Sequence, residues 1–117
     1  TSLHVAAWNN HLEVARLLLS RGLNVDAREK DGCTPLYITA LKGYYEVVRL
    51  LLDHGADTDV GQVNEWIPLH IAAREGHLEV ARLLIGKGSN VDARQMDEWS
   101  PLHIAAGHGH LEIVRLL

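Results

Sequence analysis

Apolar residues recur along this chain at the spacing of short amphipathic helices. Near the amino end, Leu12, Ala15 and Leu18 fall three residues apart, and Glu13 and Arg16 form a pair of opposite charge between them. This spacing places the apolar side chains on one face of an α-helix and the charged pair on its solvated face. Similar segments follow three more times. The sequence therefore predicts four related helices, the first from about residue 12 to residue 20.

A tetrapeptide with leucine in third place precedes each of these helices. Its copies begin 33 residues apart and read Thr1-Ser2-Leu3-His4, Thr34-Pro35-Leu36-Tyr37, Ile67-Pro68-Leu69-His70 and Ser100-Pro101-Leu102-His103. A Thr or Ser side chain can accept a hydrogen bond from a free N–H at a helix start, and Pro suits the first helical position because it has no N–H. Each tetrapeptide therefore predicts a further short helix. The constant interval predicts an array of stacked repeats.

The third tetrapeptide departs from this pattern at its capping position. Ile67 has no side-chain oxygen and cannot accept the hydrogen bond that Thr34 and Ser100 can accept. This missing cap, considered alone, predicts that the substitution Ile67→Thr stabilises the domain by about 0.5–1.5 kcal/mol.

Polar segments connect one repeat to the next, over residues 23–32, 56–65 and 89–98. Their Asn, Asp and Gly residues predict extended hairpins, and Asp31-Gly32 is a strong turn signal. Glu65 and Glu98 stand where Gly32 stands in the first segment. Because a positive φ is costly for glutamate, these two tips should have either a different turn or a strained backbone.

The chain resembles the ankyrin-repeat family over all 117 residues. The features that carry the resemblance are the 33-residue period, the tetrapeptide, the run Gly76-His77-Leu78-Glu79-Val80 and the triplet Gly55-Ala56-Asp57. The resemblance implies an all-α solenoid of helix-turn-helix units with projecting β-hairpin loops. It also implies recognition of proteins through the hairpin tips and a concave groove. The repeats would span about 1–26, 27–59, 60–92 and 93–117 of a single array. Both ends fall within a repeat, which suggests a segment of a longer protein.

Composition narrows the possible partners and the compartment. The formal net charge is −4 and the charges are interleaved, which disfavours nucleic-acid binding. No apolar run reaches the roughly 18 residues that cross a bilayer, so membrane insertion is not expected. The single cysteine, Cys33, fits a reducing compartment, and we expect an intracellular protein of the cytoplasm or nucleus.

The histidines and the cysteine could in principle bind a metal or take part in catalysis, but a structural role explains them better. Most of the eight histidines recur at the 33-residue interval, which favours a packing and hydrogen-bonding role, and the spacing of His103, His108 and His110 does not suit a metal site. Cys33 lacks a neighbouring base and is expected to be an exposed or half-buried thiol. No enzyme activity, metal or cofactor is therefore predicted.

The candidate partner-binding residues are those at hairpin and groove positions that repeat packing does not require. They include all three tryptophans, and tryptophan is enriched at binding hot spots. Trp66 and Trp99 are equivalent, one repeat apart, and could instead cover the base of their own hairpins. The set is Trp8, Asn9, Lys30, Asp31, Cys33, Leu41, Lys42, Val63, Asn64, Trp66, Arg74, Glu75, Met96, Asp97, Trp99 and His108.

The sequence thus predicts a non-catalytic protein-protein interaction module. One alternative is a small-ligand or nucleotide receptor in which stacked tryptophans hold a base. Another is a structural spacer or an engineered binder. Leu116 and Leu117 at the carboxyl end have no following repeat to cover them, so self-association through uncapped ends is also expected.

Overall fold

The computed structural model describes residues 1–117, which form eight α-helices and no β-strand. The helices are short and come in four pairs. None of them combines the length and the apolar character that crossing a membrane requires. Their bounds are α1 Ser2–Trp8, α2 Leu12–Ser20, α3 Pro35–Lys42, α4 Tyr45–Asp53, α5 Pro68–Glu75, α6 Leu78–Gly86, α7 Pro101–Gly107 and α8 Leu111–Leu116.

The four pairs stack into an elongated array of 39 × 25 × 22 Å. The first helices of successive pairs (α1, α3, α5 and α7, the inner helices) pack side by side, and so do the second helices (α2, α4, α6 and α8, the outer helices). Leu3, Leu36 and Leu69 from the tetrapeptides are fully buried between inner helices. The predicted all-α solenoid of helix-turn-helix units is confirmed.

Side-chain caps begin three of the inner helices as predicted. The Thr34 hydroxyl accepts a hydrogen bond from the Tyr37 N–H at 3.2 Å, and Thr1 and Ser100 make the equivalent contact. At the third helix, the backbone N–H of Ile67 donates to Nδ1 of His70 at 3.1 Å, but no side chain accepts in return.

Ile67 has a packing role that its sequence position alone did not reveal. Its side chain is only 6% exposed and belongs to the main hydrophobic cluster. The predicted gain from Ile67→Thr considered the cap and left out the apolar burial that threonine would lose. The two effects are of similar size, about 1 kcal/mol each, so the predicted net gain does not follow.

The connecting segments contain hairpin-like turns without strands. In the first, the Glu29 N–H donates to the Cys33 carbonyl at 3.0 Å and the Gly32 N–H donates to the Glu29 carbonyl at 2.8 Å. The other two segments repeat this pattern, with φ of 66° at Glu65 and 68° at Glu98 against 83° at Gly32. The same turn is therefore kept with glutamate in the left-handed region, and the expected extended hairpins are reduced to these turns.

Histidines join neighbouring repeats by hydrogen bonds, in agreement with the structural role predicted for them. Nε2 of His77 donates to the Leu41 carbonyl at 3.0 Å, and Nε2 of His110 donates to the Arg74 carbonyl at 2.8 Å. Each carbonyl lies near the end of the inner helix of the preceding repeat, α3 for Leu41 and α5 for Arg74.

The histidines of the tetrapeptides make a second set of links. His4 donates to the Cys33 carbonyl at 2.9 Å, and His70 donates to the Ala93 carbonyl at 2.9 Å. Since the Ile67 N–H donates to Nδ1 of His70, the proton of the neutral ring lies on Nε2. Burial lowers the pKa of His70, which favours this neutral form.

The carboxyl end is covered differently from the prediction. Leu116 and Leu117 are half-buried and pack against the core, so they do not form the exposed end. The exposed apolar residues at this end are instead Leu102 and Leu111, with 44% and 58% of their surface exposed. Leu102 corresponds to leucines that are fully buried wherever a following repeat is present.

Candidate protein-binding groove

A groove runs between the inner helices and the connecting turns and contains two cavities. The first, of about 460 Å³, is lined by Trp8, Glu29, Asp31, Cys33, Tyr37, Ile38, Leu41, Gln62, Ile71 and Arg74. The second, of about 380 Å³, is lined by Trp66, Arg74, Gln95, Asp97, Trp99, Ile104 and His108. Arg74 lines both, so the two cavities are neighbouring parts of one surface.

Trp8 forms one wall of the first cavity and is half exposed. Nζ of Lys42, from the next inner helix, lies 4.1 Å from the centroid of the indole ring. A cation at this distance over an aromatic face is attracted by the ring, by about 0.5–1 kcal/mol at an exposed site. The contact places the Lys42 charge beside Trp8.

Acidic groups also line the first cavity. The Cys33 N–H donates to the Asp31 carboxylate at 2.9 Å, and this backbone hydrogen bond lowers the pKa of Asp31. Glu29 lies beside it and forms an ion pair with the Thr1 ammonium group at 2.9 Å. The first cavity therefore combines an aromatic ring, apolar side chains and an ionised carboxylate.

Cys33 also lines the first cavity, and it is buried rather than exposed or half-buried as the sequence suggested. Only 7% of the residue is exposed, and Nε2 of Gln62 donates to its sulfur at 3.0 Å. Burial raises the pKa of the thiol to about 11. At neutral pH the group is therefore a protonated, poorly reactive thiol, because the next repeat covers it.

Trp66 and Trp99 both line the second cavity but differ in exposure. Trp66 is half-buried, with its ring centroid 5.8 Å from that of His70 and the Arg74 guanidinium 5.7 Å from its own centroid. Trp99 is 49% exposed. Intramolecular cover of the hairpin base thus describes Trp66 better than Trp99.

The remaining candidates divide between the cavities and the turn tips. Leu41 lines the first cavity, and Asp97 and His108 line the second. Lys30, Val63, Asn64 and Met96 are exposed at the tips and line neither cavity, while Asn9 and Glu75 are exposed near helix ends.

Two glutamines of the groove were missed by sequence reasoning. Gln62 and Gln95 occupy the same place one repeat apart, and Glu29 is the third member of that row. Gln95 is 3% exposed, and its Oε1 accepts hydrogen bonds from the N–H groups of Asp97 and Trp99. Their recurrence at the 33-residue interval, at the start of each turn, is the signal that could have identified them.

The titratable groups of the chain are not grouped as metal ligands. No three His, Cys, Asp or Glu side chains converge in a way that could hold a metal ion. Ionisable and aromatic groups instead line the two cavities.

Comparison with known protein families gives one result that covers the chain. The family model described as ankyrin repeats in three copies matches residues 1–62 and again residues 57–117. No curated protein matches the chain.

Proposed function

The chain belongs to the ankyrin-repeat family, whose members are in general non-catalytic modules for protein-protein interaction, and on this basis we propose that it binds a protein partner through the groove. The partner would contact both cavities and the exposed tips at Val63 and Met96. We also propose an intracellular site of action, in the cytoplasm or nucleus, since the only cysteine is a free thiol.

The exposed aromatic surface of the groove is the observation that carries this proposal. Trp8 and Trp99 are half exposed there, and Met96 is 65% exposed at the adjacent tip. The outer helices instead present ion pairs such as Arg16 to Glu13 at 3.3 Å and are far less aromatic. Exposed aromatic and methionine side chains beside a polar rim are typical of interface cores.

A nucleotide receptor with stacked tryptophans is less well supported. Lys42 and Arg74 already lie over the rings of Trp8 and Trp66, so Trp99 is the one tryptophan without a cation over its ring and no pair of uncovered rings is present to stack on a base. The net charge of −4 also opposes binding of a phosphate-bearing ligand. A protein segment could use the exposed ring edges without displacing either cation.

Selection of peptides from a random display library against the domain would test the proposal. We expect selected peptides to shift NMR signals of the groove, including the indole N–H signals of Trp8 and Trp99. Signals of the outer helices, such as those around Arg82, should remain in place. A set of selected peptides that shifts only outer-helix signals would overturn the proposal, as would the absence of any specific binder.

A further inference from the structure

The third repeat contains its own pair of a tryptophan and a cation. Trp66 ends the connecting turn, and Arg74 stands eight residues later near the end of α5. The guanidinium lies 5.7 Å from the centroid of the indole ring and 3.5 Å from the Glu75 carboxylate. The cation is thus held between an aromatic ring and an anion.

The fourth repeat has the tryptophan of this pair but not the cation. Trp99 is equivalent to Trp66, whereas the position of Arg74 is taken by Gly107. A Cβ placed on Gly107 would have the Trp99 ring as its nearest neighbour, at 3.9 Å, so the space beside the ring is open. No lysine or arginine of the chain lies over the Trp99 ring.

An anion without a partner lies beside this open position. In the third repeat, the Asn64 side chain accepts the hydrogen bond of the Trp66 N–H at 3.2 Å. In the fourth repeat, Gln95 accepts the hydrogen bond of the Trp99 N–H instead. The carboxylate of Asp97, which corresponds to Asn64, is therefore left without a hydrogen bond or an ion pair, and it lines the second cavity together with Trp99.

We propose that the Trp99 ring and the Asp97 carboxylate bind an arginine side chain of the protein partner, in the place that Arg74 occupies beside Trp66. The proposal rests on the proposed function and names the chemistry that the second cavity would recognise. A guanidinium there would gain the aromatic face and an ionised carboxylate that no internal cation neutralises.

The other charged and titratable groups of the cavity leave room for this cation. Arg74 is directed to Trp66 and Glu75, which offset its charge. His108 uses Nδ1 in a contact of 3.1 Å with the Ile104 carbonyl. Asp97 is then the group best placed to pair with an incoming guanidinium.

NMR titration of the domain with acetyl-arginine-amide tests the proposal without knowledge of the partner. The three tryptophans give three indole N–H signals, which substitution by phenylalanine assigns. We expect the Trp99 signal to shift saturably with the arginine probe and to stay in place with acetyl-citrulline-amide, its neutral isostere. The Trp66 signal should change much less, because Arg74 already occupies the position beside its ring.

Two variants with matched controls sharpen the test. Gly107→Arg supplies the missing cation from within the chain and should abolish the saturable shift, whereas Gly107→Ala should retain it. Asp97→Asn should weaken probe binding by about two- to fivefold, the factor expected for an exposed ion pair of about 0.5–1 kcal/mol, and Asp92→Asn should not.

An equal response to arginine and citrulline would overturn the inference, as would unchanged binding to the Asp97→Asn or Gly107→Arg variant. These outcomes would leave the proposed function intact if selected peptides still occupied the groove through other side chains. Conversely, failure of peptide selection would not remove a saturable effect of the arginine probe at Trp99.

Discussion

At the scale of single residues, the 33-residue period carried most of the information, and departures from it were harder to interpret. The positive φ of Gly43 and Gly76 was predictable, and so was that of Asn10, which takes the same place at 59°. The burial of Ile67 and Cys33 was not, because it depends on how the neighbouring repeat covers each side chain. The 33-residue spacing shows which residues occupy equivalent positions in different repeats, but it does not show how deeply each side chain is buried.

The left-handed glutamates give a residue-scale prediction. Glu98 has a φ of 68°, where a side chain costs about 1–2 kcal/mol, part of which glycine returns through its freedom in the unfolded chain. We expect Glu98→Gly to raise the free energy of unfolding by about 0.5–1 kcal/mol, measured by urea denaturation. The reverse kind of change, Gly32→Ala, should lower it, since φ is 83° there and the new Cβ would lie 3.1 Å from the backbone nitrogen of Val63. A less stable Glu98→Gly variant would show that the turn is not strained.

At the scale of helices, the sequence predicted the helices more fully than the turns that connect them. The number, order and approximate bounds of the helices followed from the tetrapeptides and the apolar spacing, because both signals are local. The connecting turns were predicted only in part, since their hydrogen bonds extend between repeats, as from the Met96 N–H to the Asn64 carbonyl at 3.2 Å.

A pair of substitutions at the start of α5 separates the two effects. Ile67→Val removes buried apolar surface alone and should lower the free energy of unfolding by about 0.5–1.5 kcal/mol. Ile67→Thr has the shape of valine and adds an oxygen that can share the His70 N–H, which donates to the Ile67 carbonyl at 3.0 Å, as Thr34 accepts from Tyr37. We therefore expect the free energy of unfolding of the threonine variant to exceed that of the valine variant by about 0.5–1 kcal/mol, measured by denaturant titration. Equal or lower stability would mean that burying the hydroxyl outweighs the cap.

At the scale of the whole molecule, the two ends of the array present complementary faces. Val5, Val14 and Leu17 are 50–61% exposed at the first pair of helices, although their equivalents Ile38, Val47 and Leu50 are at most 8% exposed within the array. Leu102 and Leu111 are exposed at the other end. These two faces are of the kind that pack together inside the array, so the same packing could join separate copies.

We accordingly expect the 117-residue chain to self-associate end to end as its concentration rises. Sedimentation velocity should show a concentration-dependent increase in mean mass. Leu111→Gln should reduce this increase, whereas Glu112→Gln, on the adjacent charged face, should not. Strictly monomeric behaviour at high concentration would contradict end-to-end association.

The central claim, that the groove binds a partner, is tested most directly by the substitution Trp99→Ala, because Trp99 is 49% exposed and has no cation of the chain over its ring. Affinity for the selected peptides and the free energy of unfolding are measured on the same variant, with Arg82→Ala as the control on an outer helix. We expect Trp99→Ala to weaken binding by about 2 kcal/mol or more. It should cost less stability than a core change such as Leu69→Ala, for which about 2–5 kcal/mol is typical. Unchanged affinity, or a decrease that only follows the loss of folded protein, would contradict the account.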